Sequence, residues 1–186
     1  MRWTVTEPPT QEPVALDDAI DHLREDTGTA QIPRIQALIT AAREFAENQC
    51  EHAFEPQTIK VALDGFPDAS HILLPRAGLT EVVSVEYLDD AGAMQTLDPA
   101  DYGADTYSKP SAIYRKNEWP ATADERNAVT VTYKAGVATP PPIEQAILLL
   151  VGHWYENRVA VNTGNIVTEY PMAVEALLGQ YRVMGV

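Results

Sequence analysis

The spacing of apolar residues changes twice along this 186-residue chain, and this change constrains the fold more than any other feature. Apolar residues first recur every three or four positions, then alternate with polar residues from about residue 57, and return to the helical spacing after residue 139. Side chains on one face repeat with a period of 3.6 in a helix and of two in a strand. The sequence therefore predicts an α+β fold, in which a helical scaffold of two N-terminal and two C-terminal helices carries an inserted small antiparallel β module.

The two N-terminal helices follow a proline-containing lead that runs through Pro13. The first helix is predicted from Leu16 to Leu23, and Gly28 is expected to end it. Pro33 opens the second helix, because proline is tolerated in the first helical turn. The apolar face of this helix is expected to pack inward, and its polar side chains are expected to lie largely on the opposite, exposed side: Arg34, Gln36, Arg43, Glu44 and Glu47.

The two C-terminal helices are marked by prolines. Three prolines at 140–142 start the third helix, whose buried stripe is predicted to include Trp154 and which Asn157 is expected to end. Pro171 precedes the fourth helix, which is predicted to include Leu178. We therefore assign residues 1–56 and 135–186 to one helical domain.

Residues 57–134 form the predicted β module, because apolar and polar residues alternate in several short segments bounded by turn residues. The turn at 89–92 is predicted to join two strands as a hairpin. Strands are predicted at 57–63, 83–87, 94–97, 102–107, 112–115 and 129–133. Trp119, which Pro120 follows, is expected to cover a small core.

The charge of the chain argues against nucleic-acid binding. It has 13 Lys and Arg against 27 Asp and Glu, a net charge of −14. Sequence-independent binding to DNA requires a basic stripe that displaces counterions from phosphates, and we expect none because the sequence shows no evident cluster of Lys and Arg. An acidic surface serves solubility, and it also suits a protein that must let DNA slide past.

Other protein classes are also disfavoured by the sequence. The longest apolar run, at 146–151, is too short to cross a bilayer, so we expect no membrane association. The single cysteine, Cys50, is expected to be a buried small hydrophobic residue. The four histidines lack metal-ligand spacing, and no phosphate-binding loop or serine elbow appears, so we predict neither an enzyme nor a cofactor.

Several segments, in the same order and spacing, resemble the head-to-tail connector (adaptor) proteins of long-tailed phages, prophages and gene transfer agents. The segments are PVALDDA at 13–19 with HLR at 22–24, LITAAREF at 38–45, AILLLVGHWYENR at 146–158, VEALL at 174–178, and YR at 181–182. The chain departs from this pattern at Ala15, where many relatives carry a capping Thr or Ser. It also departs at 179–180, where Gly-Gln replaces the familiar proline before the Tyr-Arg pair, and in its apolar tail.

The resemblance implies a structural subunit at the head–tail interface of a virion, assembled in the host cytoplasm. Such a subunit forms a ring with neighbouring copies of itself, twelve if it inherits the symmetry of the portal protein that it binds. The ring extends the channel through which DNA passes without sequence-specific binding. Its far side receives a head-closure or tail protein.

Side chains near the end of the chain are the best candidates for subunit interfaces, because Tyr and Arg are enriched at such surfaces. The candidates are Tyr155, Arg158, Asn162, Asn165, Tyr181, Arg182 and Val186. Two alternatives stay open. A head-closure (stopper) or tail-completion ring protein differs only in its neighbour, whereas a monomeric binding module requires a well-formed pocket.

Overall fold

A computed structural model describes residues 1–24, 31–157 and 171–183. These residues form four helices and two antiparallel sheets, which confirms the predicted α+β fold. The helices are α1 (Leu16–Leu23), α2 (Ile32–Cys50), α3 (Pro141–Glu156) and α4 (Met172–Gly179). The strands are β1 (Arg2–Glu7), β2 (Gln57–Leu63), β3 (His71–Leu73), β4 (Leu79–Leu88), β5 (Met94–Thr96), β6 (Tyr102–Asp105), β7 (Ala112–Arg115) and β8 (Val129–Ala135).

The chain divides into two compact units. The β unit comprises Met1–Thr10, Ala53–Val137 and Val183, and the helical unit comprises the described parts of Gln11–His52 and Ala138–Arg182. The domain assignment from the sequence stays a prediction; in the structure, residues 1–10, 53–56 and 135–137, assigned there to the helical domain, group with the β unit. Within residues 1–10, β1 pairs antiparallel with β2, with Trp3 opposite Val61.

The larger sheet has the strand order β1-β2-β8-β4-β5, and its interior is built from in-register apolar residues. Val61 lies opposite Val131, which in turn lies opposite Val85, and all three are fully buried. Burying a valine side chain contributes about 1.5–3 kcal/mol, so this row is a substantial part of the core. Val83, two residues before Val85, is half exposed because the register shifts between Val82 and Ser84, which leaves Val83 as the extra residue of a bulge.

The smaller sheet has the order β3-β7-β6 and packs one face on the same core. Ile72 and Ile113 are opposite each other in register and buried in it. Trp119 covers part of this core as expected: its ring stacks on Phe66, with centroids 4.8 Å apart, and its indole N–H donates to the Ala69 carbonyl at 3.1 Å. The sequence pattern missed β3, since three residues are too few to show a period.

The helical unit is built around the apolar faces of α2 and α3. Helix α1 spans the predicted residues and ends at Leu23, with Arg24 in the left-handed conformation (φ 53°). Gly28, which was expected to end it, lies outside the described residues. Helix α3 begins at Pro141 as predicted, and Asn157 closes it by donating its side-chain amide to the His153 carbonyl at 2.8 Å.

Candidate functional site: the contact surfaces of the helical unit

A buried ion cluster fixes the segment before α1 to α2. The Arg43 Nε donates to Glu12 Oε2 at 2.8 Å, and Arg43 Nη1 donates to Glu47 Oε2 at 3.0 Å. The Thr40 hydroxyl donates to the other Glu12 oxygen at 2.7 Å. The Arg43 side chain is 5% exposed and that of Glu47 1%, so water screens this pair little. The cluster therefore links two elements of the helical unit through charge-assisted bonds.

The burial of Arg43 and Glu47 corrects the expectation that both residues lie on the exposed side of α2. One turn of helix separates them, which places their side chains on the same face. A buried charge is tolerated only when it is paired, and Glu12 supplies the second carboxylate from outside the helix. The spacing of the two charges is visible in the sequence, whereas the position of Glu12 is not, because it lies 31 residues earlier.

An open groove of about 450 Å³ lies beside this cluster. Its walls come from the segment before α1 and from the first half of α2. The lining residues are Gln11, Glu12, Val14, Ala15, Leu16, Gln36, Ile39 and Thr40. Apolar Val14 and Ile39 form buried parts of the wall, while Glu12 places a carboxylate at its edge. The groove can therefore receive an apolar group next to a hydrogen-bond donor.

Aromatic side chains near the end of α3 pack against α2. Tyr155 is buried, and the Arg34 guanidinium lies 5.7 Å from its ring centroid, which is a cation–π distance. Trp154, predicted as part of the buried stripe, is only partly buried and meets Phe45 edge-on, with centroids 5.9 Å apart. The interface role predicted for Tyr155 stays a prediction. Because its ring is covered within the helical unit, such a role requires it to act through neighbours such as Arg34.

The last residue of the helical unit, Arg182, contacts the C-terminal turn of α2 at Gln49. Arg182 is exposed and donates from Nε to the Gln49 carbonyl and from Nη2 to the Gln49 side-chain oxygen, both at 3.1 Å. Tyr181 is partly buried next to it. These bonds hold Arg182 against α2 while leaving the side chain accessible to solvent. The structure thus places two predicted interface residues, Tyr181 and Arg182, side by side at one end of the unit.

Cys50, at the last position of α2, is fully buried as expected, with its Sγ 3.4 Å from the Leu178 carbonyl oxygen. Burial raises the pKa of the Cys50 thiol to about 11, and the positive charge of Arg182 opposes this shift only in part. The thiol is therefore protonated at neutral pH and unsuited to nucleophilic chemistry.

The other predicted interface residues lie outside the described residues: Arg158, Asn162, Asn165 and Val186. Across residues 1–24, 31–157 and 171–183, no group of three or more His, Cys, Asp and Glu side chains is placed to hold a metal ion. Within the same ranges no helix is long and apolar enough to span a membrane. The chemistry visible in the helical unit is that of packing, ion pairing and hydrogen bonding.

Comparison with known proteins identifies the family to which the chain is related. The family model described as head completion protein matches residues 20–184, which is most of the chain. The chain belongs to the head completion protein family. The match begins within α1 and includes most of the helical unit and the segment from β2 to β8. No curated protein sequence matches the chain.

Three solved structures share the fold of the whole chain. A protein in the neck of an empty gene transfer agent particle, computed with C6 symmetry, is 22% identical with a TM-score of 0.82. A protein in the virion of a native gene transfer agent particle is 21% identical with a TM-score of 0.81. A protein in the neck of a native particle, computed with C12 symmetry, is 19% identical with a TM-score of 0.72. Each match covers 100% of this chain and 97% of the other chain.

Membership in this family confirms the predicted resemblance and the predicted structural, non-enzymatic role. The protein is a head-completion subunit of a phage-like particle. The likeness to the three particle structures supports the fold as a whole, because it extends over the full chain.

Proposed function

We propose that this protein is the connector subunit that forms a ring beneath the portal protein of its particle, extends the DNA channel and receives the next head-closure or tail protein. The observation that carries the proposal is the head completion family match over residues 20–184. The full-length fold likeness to proteins in particle necks computed with C6 and C12 symmetry supports it. Twelve copies are proposed, each making head-to-tail contacts with two neighbours that close on rotation.

The charge of the chain supports a role at the DNA channel. A net charge of −14 on each subunit gives a ring of twelve a large negative charge, which repels DNA phosphates. A surface of this kind lets DNA pass without being retained. Sequence-specific contacts are not part of the proposal.

The helical unit is proposed as the scaffold of the ring, because its buried ion cluster and the Asn157 side chain at the end of α3 hold its surfaces in fixed positions. Tyr181 and Arg182 are proposed as contacts with a neighbouring subunit or with the portal. The Arg182 side chain is suited to such a contact, because it is exposed and already positioned by Gln49. Little conformational entropy is therefore lost when it binds. Arg158, Asn162, Asn165 and Val186 are proposed for the same surface from their positions in the sequence.

Electron cryo-microscopy of the purified subunit mixed with its portal protein tests the proposal. We expect ring-shaped density of twelve subunits on the lower end of the portal, with the helical unit nearest the channel. A portal that stays bare at high subunit concentration contradicts the proposal. In that case the subunit should be mixed with the tail protein, because a head-closure or tail-completion protein is expected to form its ring there.

Weak association in solution does not bear on this test. An interface that is marginal between two subunits becomes effective once a template aligns all copies, because later contacts are made at high effective concentration. A matched variant, Arg182→Gln, is expected to lower the occupancy of the ring if this end of the helical unit makes contacts. Equal occupancy with Arg182→Gln removes that residue from the proposed surface and leaves the ring proposal unchanged.

A further inference from the structure

We call residues 11–15, which precede α1 and lie against α2, the strap. Glu12 attaches the strap to α2, because one of its carboxylate oxygens accepts from Thr40 at 2.7 Å and the other from Arg43 at 2.8 Å. Val14 is buried, but it shares the wall of the open groove with Ile39, so strap and α2 are not fully packed together. A gap of this kind loses dispersion contacts, and the bonds of Glu12 therefore carry much of the attachment.

Helix α1 follows the strap directly and depends on it. It has eight residues, and a helix of this length does not persist in water without packing. Its one fully buried residue is Ala19, which has little surface to bury, whereas Ile20 and Leu23 are only partly buried. Ala15, at the N-cap, makes no side-chain cap bond, so the first N–H groups of the helix gain no partner from it. The strap is therefore the tether that keeps the start of α1 in place.

Arg43 does not need the strap in order to stay paired. Its Nη1 donates to Glu47 at 3.0 Å, and the two residues are one turn apart on α2. A buried charge without a partner is costly, but the loss of Glu12 leaves this pair intact. Glu12 itself is 31% exposed, so water solvates its carboxylate once it leaves. The strap can therefore be released without leaving an unpaired buried charge behind.

We propose that the strap and α1 open together, separately from α2 and the rest of the helical unit, and that Glu12 is the latch that holds them closed. Opening breaks the two bonds of Glu12 and uncovers Val14 and the Ile39 side of α2, whereas the packing of α2 against α3 is kept. Local opening of this kind is typical of segments with few buried apolar contacts. The helical unit then has two surfaces, one with α1 in place and one without it.

Amide hydrogen exchange of the whole protein, read by mass spectrometry, tests the proposal because it measures the opening of each segment. In wild type we expect the amides of residues 19–23 to exchange about 100-fold faster, or more, than those of residues 39–47 in α2. Glu12→Gln keeps the shape of the side chain but removes its charge, so exchange at 19–23 should rise about tenfold while that at 39–47 stays unchanged. Glu44→Gln is the matched control and should change neither rate, because Glu44 is 62% exposed and lies 3.7 Å from Arg43.

Two further variants change the latch and the helix start separately. Thr40→Val removes one bond to Glu12 and leaves Arg43 paired, so it should raise exchange at residues 19–23 about tenfold even if Glu12→Gln does not fold. Ala15→Ser supplies the missing N-cap and should slow exchange of the same amides about fivefold. Both variants should leave residues 39–47 unchanged, because α2 is not part of the opening segment.

Equal exchange of residues 19–23 and 39–47 in wild type overturns the inference, because it means that α1 and α2 open together. The inference is also wrong if Glu12→Gln and Thr40→Val leave exchange at 19–23 unchanged, or if they speed both segments equally. The latch does not depend on the proposed ring. Its failure leaves the proposed function standing, and a portal that stays bare leaves the latch standing.

Discussion

Replacing Arg43 by methionine tests whether the buried ion cluster stabilises the helical unit. Methionine keeps much of the side-chain volume but leaves the Glu47 carboxylate, 1% exposed, without its ion pair. Breaking a buried pair costs about 3–5 kcal/mol. We expect the lower end, about 3 kcal/mol, because Glu47 has a further interaction and Glu12 is 31% exposed and can be hydrated. For a chain of this size that corresponds to a decrease in Tm of about 6–12 °C.

The assay is thermal and urea unfolding followed by circular dichroism at neutral pH. Glu44→Gln is the control, because Glu44 is 62% exposed and its oxygen lies 3.7 Å from Arg43, so its loss should cost less than about 1 kcal/mol. The double variant Arg43→Met/Glu47→Met should recover much of the stability, since an apolar pair can replace a buried ion pair. A single Arg43→Met variant as stable as Glu44→Gln would refute the reasoning.

Three further predictions concern the thiol, a glycine and the pH dependence. Cys50, whose pKa is raised to about 11 by burial, should react with a thiol reagent at pH 8 far more slowly in the native protein than in urea; equal rates would contradict its burial. Gly136→Ala should destabilise by about 2 kcal/mol or more in urea unfolding, because φ is +100° and the new Cβ would overlap the Glu55 backbone. Gly92→Ala, with φ +81° and nothing within 4 Å, should cost only about 1 kcal/mol, and equal losses would rule out the overlap. Burial raises the pKa of Tyr133 above its usual 10.0, so its contribution to stability is present below pH 10 and lost as the pH rises; Tyr133→Phe should weaken this loss in urea midpoints between pH 9 and 11.

Local sequence patterns predicted most helices and strands because their signals lie within a few residues. Proline at the start of α3 and alternating residues in β8 act through short-range sterics and burial. Strand β1 carries only a short signal, since Trp3 and Val5 alternate with polar residues over six positions, and it was not predicted. Only Val5 among its residues is partly buried, and β1 exists as a strand because it pairs with β2 more than 50 positions later.

The contact surfaces were less predictable than the elements. Tyr181 and Arg182 stay predicted interface residues, whereas the bonds from Arg182 to Gln49 depend on the folded path of the chain. The burial of Glu47 could not be read from the helical pattern, since charged residues usually mark the solvent side.

By itself, the sequence determined the α+β class, the order of the helices and, except for β3, of the strands from α1 to α4, the acidity and the relation to connector proteins. The class, the element order and the family relation depend on residue periodicity and short motifs, which are local in the sequence. The acidity depends on composition, which is the same whatever path the chain follows. The tertiary structure alone decided that β1 joins the β unit, that Glu12 completes the ion pairs of Arg43, and that Tyr114 lies across Gly103. Each of these depends on contacts between residues distant in sequence, and such contacts form only when the chain folds.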